Sequence, residues 1–370
     1  MNFPGLDPLW RGGHRTLHRL GLLPTWRLDD MRTVLDRGER VLVVATTALG
    51  DSLLATPLIE TLSRALGRDR VSFLVREPYA PLYRDDPRLR RVFTVRGKYR
   101  WAGLRRELAR DPHGIALLAN LTEPDLVPWL RWGGARGFLR YRTRWSQYPE
   151  WMANREMLRA PGDPDYATGH AIENNLALAA ALGVAASATR LALPQFGAEA
   201  KTERRVVIHP GASRAIKQWQ VENWARLADR MVERFDCDIV LTGDGREIAL
   251  AETVRAKMEQ KARTQTLAGR LDLRQLAALQ AASLAFLSGD TGPYHLAVAV
   301  GCPTMTLFAP TDRGSSIEAC GPHEADPVYH RALQTAHFGD AIATLDFARV
   351  EAEAAAVVEA SLIRAGMATK

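Results

Sequence analysis

Short apolar runs alternate with longer segments of helical period along this chain, and the alternation occurs twice. Arg40-Val-Leu-Val-Val-Ala45 reads as a strand, the turn Thr46–Gly50 follows, and a helix is expected from about Ser52 to Leu66. Val71–Val75 and Ile115–Leu118 read as further buried strands, and Ala171–Leu182 as an apolar helix ended by Gly183. Pro194–Arg205 is polar and lacks apolar period. Beyond it come the strand Val206–His209, the helix Val221–Phe235, the strand Asp238–Leu241 and the helix Glu247–Lys261. The helix Leu273–Ala282, the strand Leu284–Leu287, the helix Tyr294–Val300 and the strand Thr304–Phe308 complete the pattern. Strands separated by a single helix pair in parallel, because a parallel connection must cross the sheet. Such a sheet needs both faces covered.

The expected class is therefore α/β, with two doubly wound domains facing a cleft. Residues 1–38 form a basic lead-in, 39–193 the first domain, 194–205 the linker and 206–345 the second domain. Residues 346–370 hold a closing helix, Val350–Ala365, expected to pack back across the hinge. In the lead-in, Trp10, Leu17, Leu20, Leu22 and Leu23 are too irregular to predict an amphipathic helix.

At 370 residues and 46% hydrophobic, the chain is long enough for two cores. No apolar run reaches the roughly 18 residues of a membrane span. The first 25 residues carry Arg11, His14, Arg15 and Arg19 but no apolar signal core, so a secretory signal is not expected. Cys237, Cys302 and Cys320 lie far apart without metal-ligand spacing. They read as small buried hydrophobes in a reducing, cytoplasmic compartment. The net charge is +7, and Arg84–Arg110 carries ten Arg or Lys against three acids. That excess suits an acidic substrate or the anionic inner face of a membrane, and an Arg-rich composition alone would also produce it. No nucleic-acid motif accompanies it, so no nucleic-acid partner is expected. The chain has no G-x-S-x-G elbow, no Walker A sequence and no G-x-G-x-x-G after its first strand, which weakens hydrolase, NTPase and dehydrogenase readings.

Four segments carry candidate chemistry. Ser288-Gly-Asp-Thr-Gly-Pro-Tyr-His-Leu-Ala297 reads as strand, sharp turn and helix start. It turns backbone N–H groups and the positive end of a helix toward one point, which favours a phosphate. Asp290, Thr291 and His295 add polar side chains there. His209-Pro-Gly-Ala-Ser213, followed by Lys217, suits a diphosphate, or is a plain loop with a solvated lysine. Leu49-Gly-Asp51 lies at the carboxyl end of the first strand, where open α/β sheets bind ligands. Asp51 is either a helix-capping carboxylate or a general base. Gly243-Asp-Gly-Arg-Glu247 places a carboxylate where a ribose could be held, or simply caps a helix. Asp163-Pro-Asp165 and Asp236-Cys-Asp238 are D-x-D triplets away from any strand's carboxyl edge and read as solvated loops. No metal site is expected.

These segments occur in one order, from Leu42 to Pro57, through Val207–Ser213 with Lys217 and Trp219, Leu267–Leu276 and Gly289–Ala297, to Gly301-Cys-Pro-Thr304 and Leu307-Phe-Ala-Pro-Thr311. Over residues 40–345 the chain resembles the ADP-heptose:lipopolysaccharide heptosyltransferases, glycosyltransferase family 9. The resemblance implies a GT-B fold of two Rossmann-like domains and inverting transfer without a metal ion or other cofactor. It implies an ADP-sugar donor, an acceptor in the lipopolysaccharide core or another glycan, and a cytoplasmic site of action with peripheral contact to the anionic inner membrane. The catalytic aspartate of the family falls on Asp51 and its phosphate-binding lysine on Lys217. Ser213, Asp290, Thr291, Gly292 and His295 match the donor site, Glu247 the ribose carboxylate and Leu271 the adenine neighbourhood. Leu117–Asp125 and Trp129-Leu-Arg-Trp132 depart from many relatives, as does Ser288-Gly289 before the D-T-G. A protein acceptor, another sugar nucleotide, an epimerase or a non-catalytic nucleotide-sugar-binding protein would keep the same fold.

Overall fold

Strands with unbroken apolar sequence become the sheet centres. In the computed structural model, β1 (Val41–Ala45) and β10 (Ala285–Gly289) are buried along their whole length. The structure describes Thr16 and residues 26–96, 101–119, 126–141, 157–158, 169–197, 203–311, 315–323 and 326–368. The chain divides into two units, Met1–Ala188 and Thr189–Lys370.

In the first unit β1 is joined by β2 (Val71–Arg76), β3 (Arg91–Val95), β4 (Ile115–Leu118), β5 (Gly137–Tyr141) and β6 (Met157–Leu158). In the second, β7 (Arg205–His209), β8 (Asp238–Leu241) and β9 (Thr264–Thr266) join β10, β11 (Thr304–Phe308) and β12 (His330–Gln334). The first sheet runs β3-β2-β1-β4-β5-β6 and the second β12-β11-β10-β7-β8-β9, with every pairing parallel. Counted from its own first strand, each sheet has the order 3-2-1-4-5-6. The chain direction across the sheet reverses between strands 1 and 4, and ligands bind beyond the carboxyl ends there. In this chain those edges follow β1 and β4, and β7 and β10.

Some elements differ from the sequence expectations. Part of the lead-in is a helix, Leu28–Asp36, whose Met31 and Leu35 are buried; two apolar anchors are too thin a stripe to register as a period. The expected helix 52–66 begins at Leu49 and is interrupted at Ala55, resuming as Thr56–Leu66 with Pro57 in its first turn. Proline lacks the N–H a continuous helix would need, so the break falls before it. The closing helix is Phe347–Arg364. Its buried Val350, Ala354, Val357, Val358 and Leu362 join the core of the second unit, against Val221–Phe235, β10, β11 and β12.

Candidate active site

The first unit holds Asp51 in the helix Leu49–Leu54, directly beyond β1. Its carboxylate reaches back over the turn. Asp51 Oδ2 accepts the Thr47 hydroxyl and, at 3.1 Å, the Ala48 amide. Asp51 therefore ties down the first turn from within it and remains half-buried. The helix beneath is fixed by polar contacts. Ser52 Oγ donates to the Leu49 carbonyl at 2.7 Å and meets the Tyr83 hydroxyl at 2.8 Å. Asn175 Nδ2 donates to the Leu54 carbonyl at 3.0 Å. Burial pushes the Tyr83 phenol above its ordinary value, so it stays neutral beside Ser52. Arg76, at the end of β2, donates to the Thr47 carbonyl at 3.4 Å and brings a positive charge to the same turn.

In the second unit the β7–β10 edge joins Lys217 to Asp290. Lys217 closes a single 3-10 turn, Ala215–Lys217, after the β7 loop. Trp219 holds this turn in place: it is buried, edge-on to Trp224 at 5.1 Å and stacked on Phe347 at 6.0 Å. Lys217 Nζ donates to Asp290 Oδ2 at 2.6 Å, and Ser315 Oγ donates to the same oxygen at 2.5 Å. Asp290 Oδ1 faces His295 Nε2 at 3.9 Å. Burial alone would raise the Asp290 carboxyl, but Lys217, His295 and the Lys217 and Ser315 hydrogen bonds hold it below the usual carboxylate range. Asp290 is thus a buried anion and the counter-ion of Lys217. An ammonium has three donors; the bond to Asp290 takes one and leaves two for an incoming phosphate oxygen.

Thr291 is the N-cap of the helix Gly292–Ala299, and its Oγ1 is buried with no hydrogen-bond partner. The amides of Thr291 and Gly292 head that helix, where the first N–H groups have no intrahelical acceptor. A buried hydroxyl without a partner, beside a helix N-terminus and a lysine, is an arrangement that can receive an anionic oxygen. Gly289 lets the two segments approach. A Cβ there would lie 2.9 Å from the Lys217 carbonyl oxygen. Gly289→Ala is expected to lower stability by about 1–3 kcal/mol, the usual cost of overpacking. A urea midpoint equal to wild type would show that the Lys217 turn yields instead.

The other expected donor residues lie at the β7–β8 side. Glu247 caps the helix Ile248–Lys257, accepts the Asp244 amide at 2.8 Å and faces His209 Nε2 at 3.6 Å. Burial lowers the His209 value against the pull of Glu247 and Asp244, which favours the neutral imidazole. A Cβ at Gly211 would fall 2.1 Å from Glu247 Oε1, so the glycine makes room for the carboxylate. Ser213 is exposed after this loop, and Leu271 is half-buried in the turn before the helix Leu273–Ala281. Gly269, two residues earlier, bonds the Gly243 carbonyl at 2.9 Å and brings that turn beside the Glu247 loop.

Sequence reasoning missed Arg76, Ser315 and Arg131. Arg131 ends the helix Val127–Trp132 near its last turn, and all three guanidinium nitrogens are buried without a hydrogen-bond partner. It lies over the Phe138 ring at 5.1 Å, and burial lowers its value to about 10. It is therefore still a cation near neutral pH. The basic tract is partly neutralised at home: Arg40 and Arg90 both bond Asp111, at 2.5 and 2.9 Å, and Arg88 pairs with Asp86 at 2.6 Å. Asp236 and Asp238 share Arg263, at 2.8 and 2.5 Å, so this D-x-D is an ion-paired corner. Asp163, Asp165 and Asn120–Asp125 lie outside the described residues.

Known proteins give this arrangement a context. The sequence model of glycosyltransferase family 9 (heptosyltransferase) matches residues 141–323. A lipopolysaccharide heptosyltransferase 3 of Escherichia coli is 26% identical over 286 residues, covering 71% of this chain and 81% of that protein. A lipopolysaccharide heptosyltransferase 1 of Pseudomonas aeruginosa is 27% identical over 298 residues, covering 74% and 80%. In fold, the chain is similar to the E. coli heptosyltransferase WaaC solved with ADP, with a TM-score of 0.67 over 88% of this chain and 99% of that one, at 20% identity. Two parallel sheets of one strand order and these matches together make the chain a GT-B glycosyltransferase similar to the heptosyltransferases of family 9.

Proposed function

We propose that this protein transfers heptose from ADP-heptose, with inversion, to an acceptor in the inner core of lipopolysaccharide. The observation that carries the reading is the Lys217–Asp290 pair beside the N-terminus of Gly292–Ala299, at the strand-order reversal of the second sheet. Lys217 and the amides of Thr291 and Gly292 would neutralise the charge that grows on the departing diphosphate, so the transfer needs no metal ion. Asp51 would take the proton from the acceptor hydroxyl as it attacks the anomeric carbon. Glu247 would bond the ribose hydroxyls, and Leu271 would lie against adenine. Arg76 and the unpartnered Arg131 support an anionic acceptor, as a phosphorylated core sugar is. The remaining surface arginines would let the enzyme work against an anionic membrane face.

The test is ADP release with ADP-heptose and a deacylated core acceptor lacking heptose. Release should require both substrates, and ADP should raise the melting temperature more than UDP or GDP. Product from donor alone would replace transfer with epimerisation or hydrolysis. Equal shifts with all three nucleotides would remove adenine recognition from the reading.

A further inference from the structure

The short helix Ile317–Cys320 follows β11 and brings a thiol to the rear of the Lys217–Asp290 pair. One potential ligand atom each from Asp290, His295 and Cys320 lies within 4.8 Å of the others, and all three residues are buried. The chain separates these residues enough that no sequence spacing announces them; β10, the helix after it and the segment beyond β11 bring them together. Asp290 divides its two oxygens. Oδ2 serves Lys217 and Ser315, whereas Oδ1 faces His295. Tyr294, also beside Cys320, is buried and held as the neutral phenol, so it adds no competing charge.

A carboxylate oxygen, an imidazole nitrogen and a sulfur form a mixed donor set. Magnesium and calcium prefer all-oxygen shells, whereas zinc takes these three types in tetrahedral sites. With metal–ligand distances of about 2.0–2.3 Å, a tetrahedral ion needs ligands roughly 3.3–3.8 Å apart. The Asp290 Oδ1–His295 Nε2 separation of 3.9 Å is already close to that spacing.

We propose that Asp290, His295 and Cys320 bind one zinc-class divalent ion, with Asp290 bridging the ion through Oδ1 and Lys217 through Oδ2. On binding, the Cys320 S–H bond breaks, a sulfur–metal bond forms and the proton leaves to solvent. The imidazole ligates as the neutral ring, any proton it carried leaving to solvent as well, and water takes the fourth position. The ion sits beside the diphosphate cradle and takes no part in the transfer step.

Cobalt(II) titration of the chelator-treated full chain, without nucleotide, tests this directly. The expected result is one ion per chain, a thiolate-to-cobalt charge-transfer band in the near ultraviolet, and displacement by Zn2+ but not by Mg2+. Cys320→Ser should abolish the band and weaken Zn2+ binding by about tenfold or more. Cys237→Ser and Cys302→Ser should keep both. His295→Gln should retain a folded chain and the thiol but lose affinity, which separates ligation from a packing defect at Cys320. A wild-type protein without the band, a band that survives Cys320→Ser, or equal displacement by Mg2+ overturns the site. Because no nucleotide is present, the outcome is independent of the proposed transferase reaction.

Discussion

Replacing Asp51 by asparagine is expected to lower kcat by about 10²–10⁴-fold, the usual contribution of a positioned general base, while leaving ADP affinity unchanged. The substitution is chosen to divide two roles that the structure gives to one side chain. Asp51 Oδ2 already accepts Thr47 and Ala48. An asparagine oxygen can accept the same two bonds but cannot take a proton at neutral pH. The turn therefore keeps its shape, and only the negative charge near the helix start is lost, worth about 0.3–1 kcal/mol. Asp51→Ala removes the bonds as well and should cost roughly 0.5–2 kcal/mol, as lost caps do. If Asp51 is only a cap, the two variants rank by stability and the asparagine form keeps its kcat. If it is the base, both lose turnover and only the alanine form loses stability appreciably. The kinetic readout is single-turnover heptose transfer; the structural one is a urea midpoint.

The parts of the fold legible in the sequence are those whose burial is complete. β1, β10 and β11 are apolar runs covered on both faces, and their sequences admit little else. Edge strands were invisible for the opposite reason. Thr264-Gln-Thr266 and His330-Arg-Ala-Leu-Gln334 flank the second sheet, and only alternate positions of the first and one position of the second are buried. Arg91-Val-Phe-Thr-Val95 begins with an exposed arginine that lies over Phe93. Such strands are specified by the neighbour they pair with, not by their own composition.

The candidate site divides along the same line. Asp51 and Lys217 stand in segments whose order along the chain is characteristic, and each falls at a carboxyl edge of its sheet. What the order could not supply was partnership. Lys217 and Asp290 are 73 positions apart and meet because β7 and β10 are neighbours. A reading of Asp290 as one more polar group in an anion cradle therefore missed its charge role: it is the anion that holds the lysine. Ser315 and Cys320 reach Asp290 from beyond β11, and Arg131 betrays itself only by burial without a partner.

Lys217→Ala should weaken ADP binding and destabilise the protein, and a second substitution should separate these effects. A hydrogen bond to a charged group contributes about 1.5–3 kcal/mol, or roughly 10- to 150-fold in Kd. The stability loss has another origin. Lys217 and Asp290 are only 14% and 7% exposed at their side chains. Removing one partner leaves a buried carboxylate without its counter-ion, which costs about 3–5 kcal/mol. Adding Asp290→Ala removes that stranded charge, so the double variant should be more stable than Lys217→Ala alone and still bind ADP weakly. The pH dependence has a definite sign. The folded-state value of Asp290 is depressed, so its stabilisation is present above the unfolded carboxylate value of about 3.9. It is lost as pH falls below that point and through the folded value, when the carboxyl takes a proton and releases Lys217. Wild type should therefore lose stability in acid more steeply than the double variant, measured by urea midpoints across pH 2–6. Parallel acid slopes, or a double variant less stable than the single one, would mean that the pair does not stabilise the fold. Unchanged ADP affinity in Lys217→Ala would remove the lysine from the donor site.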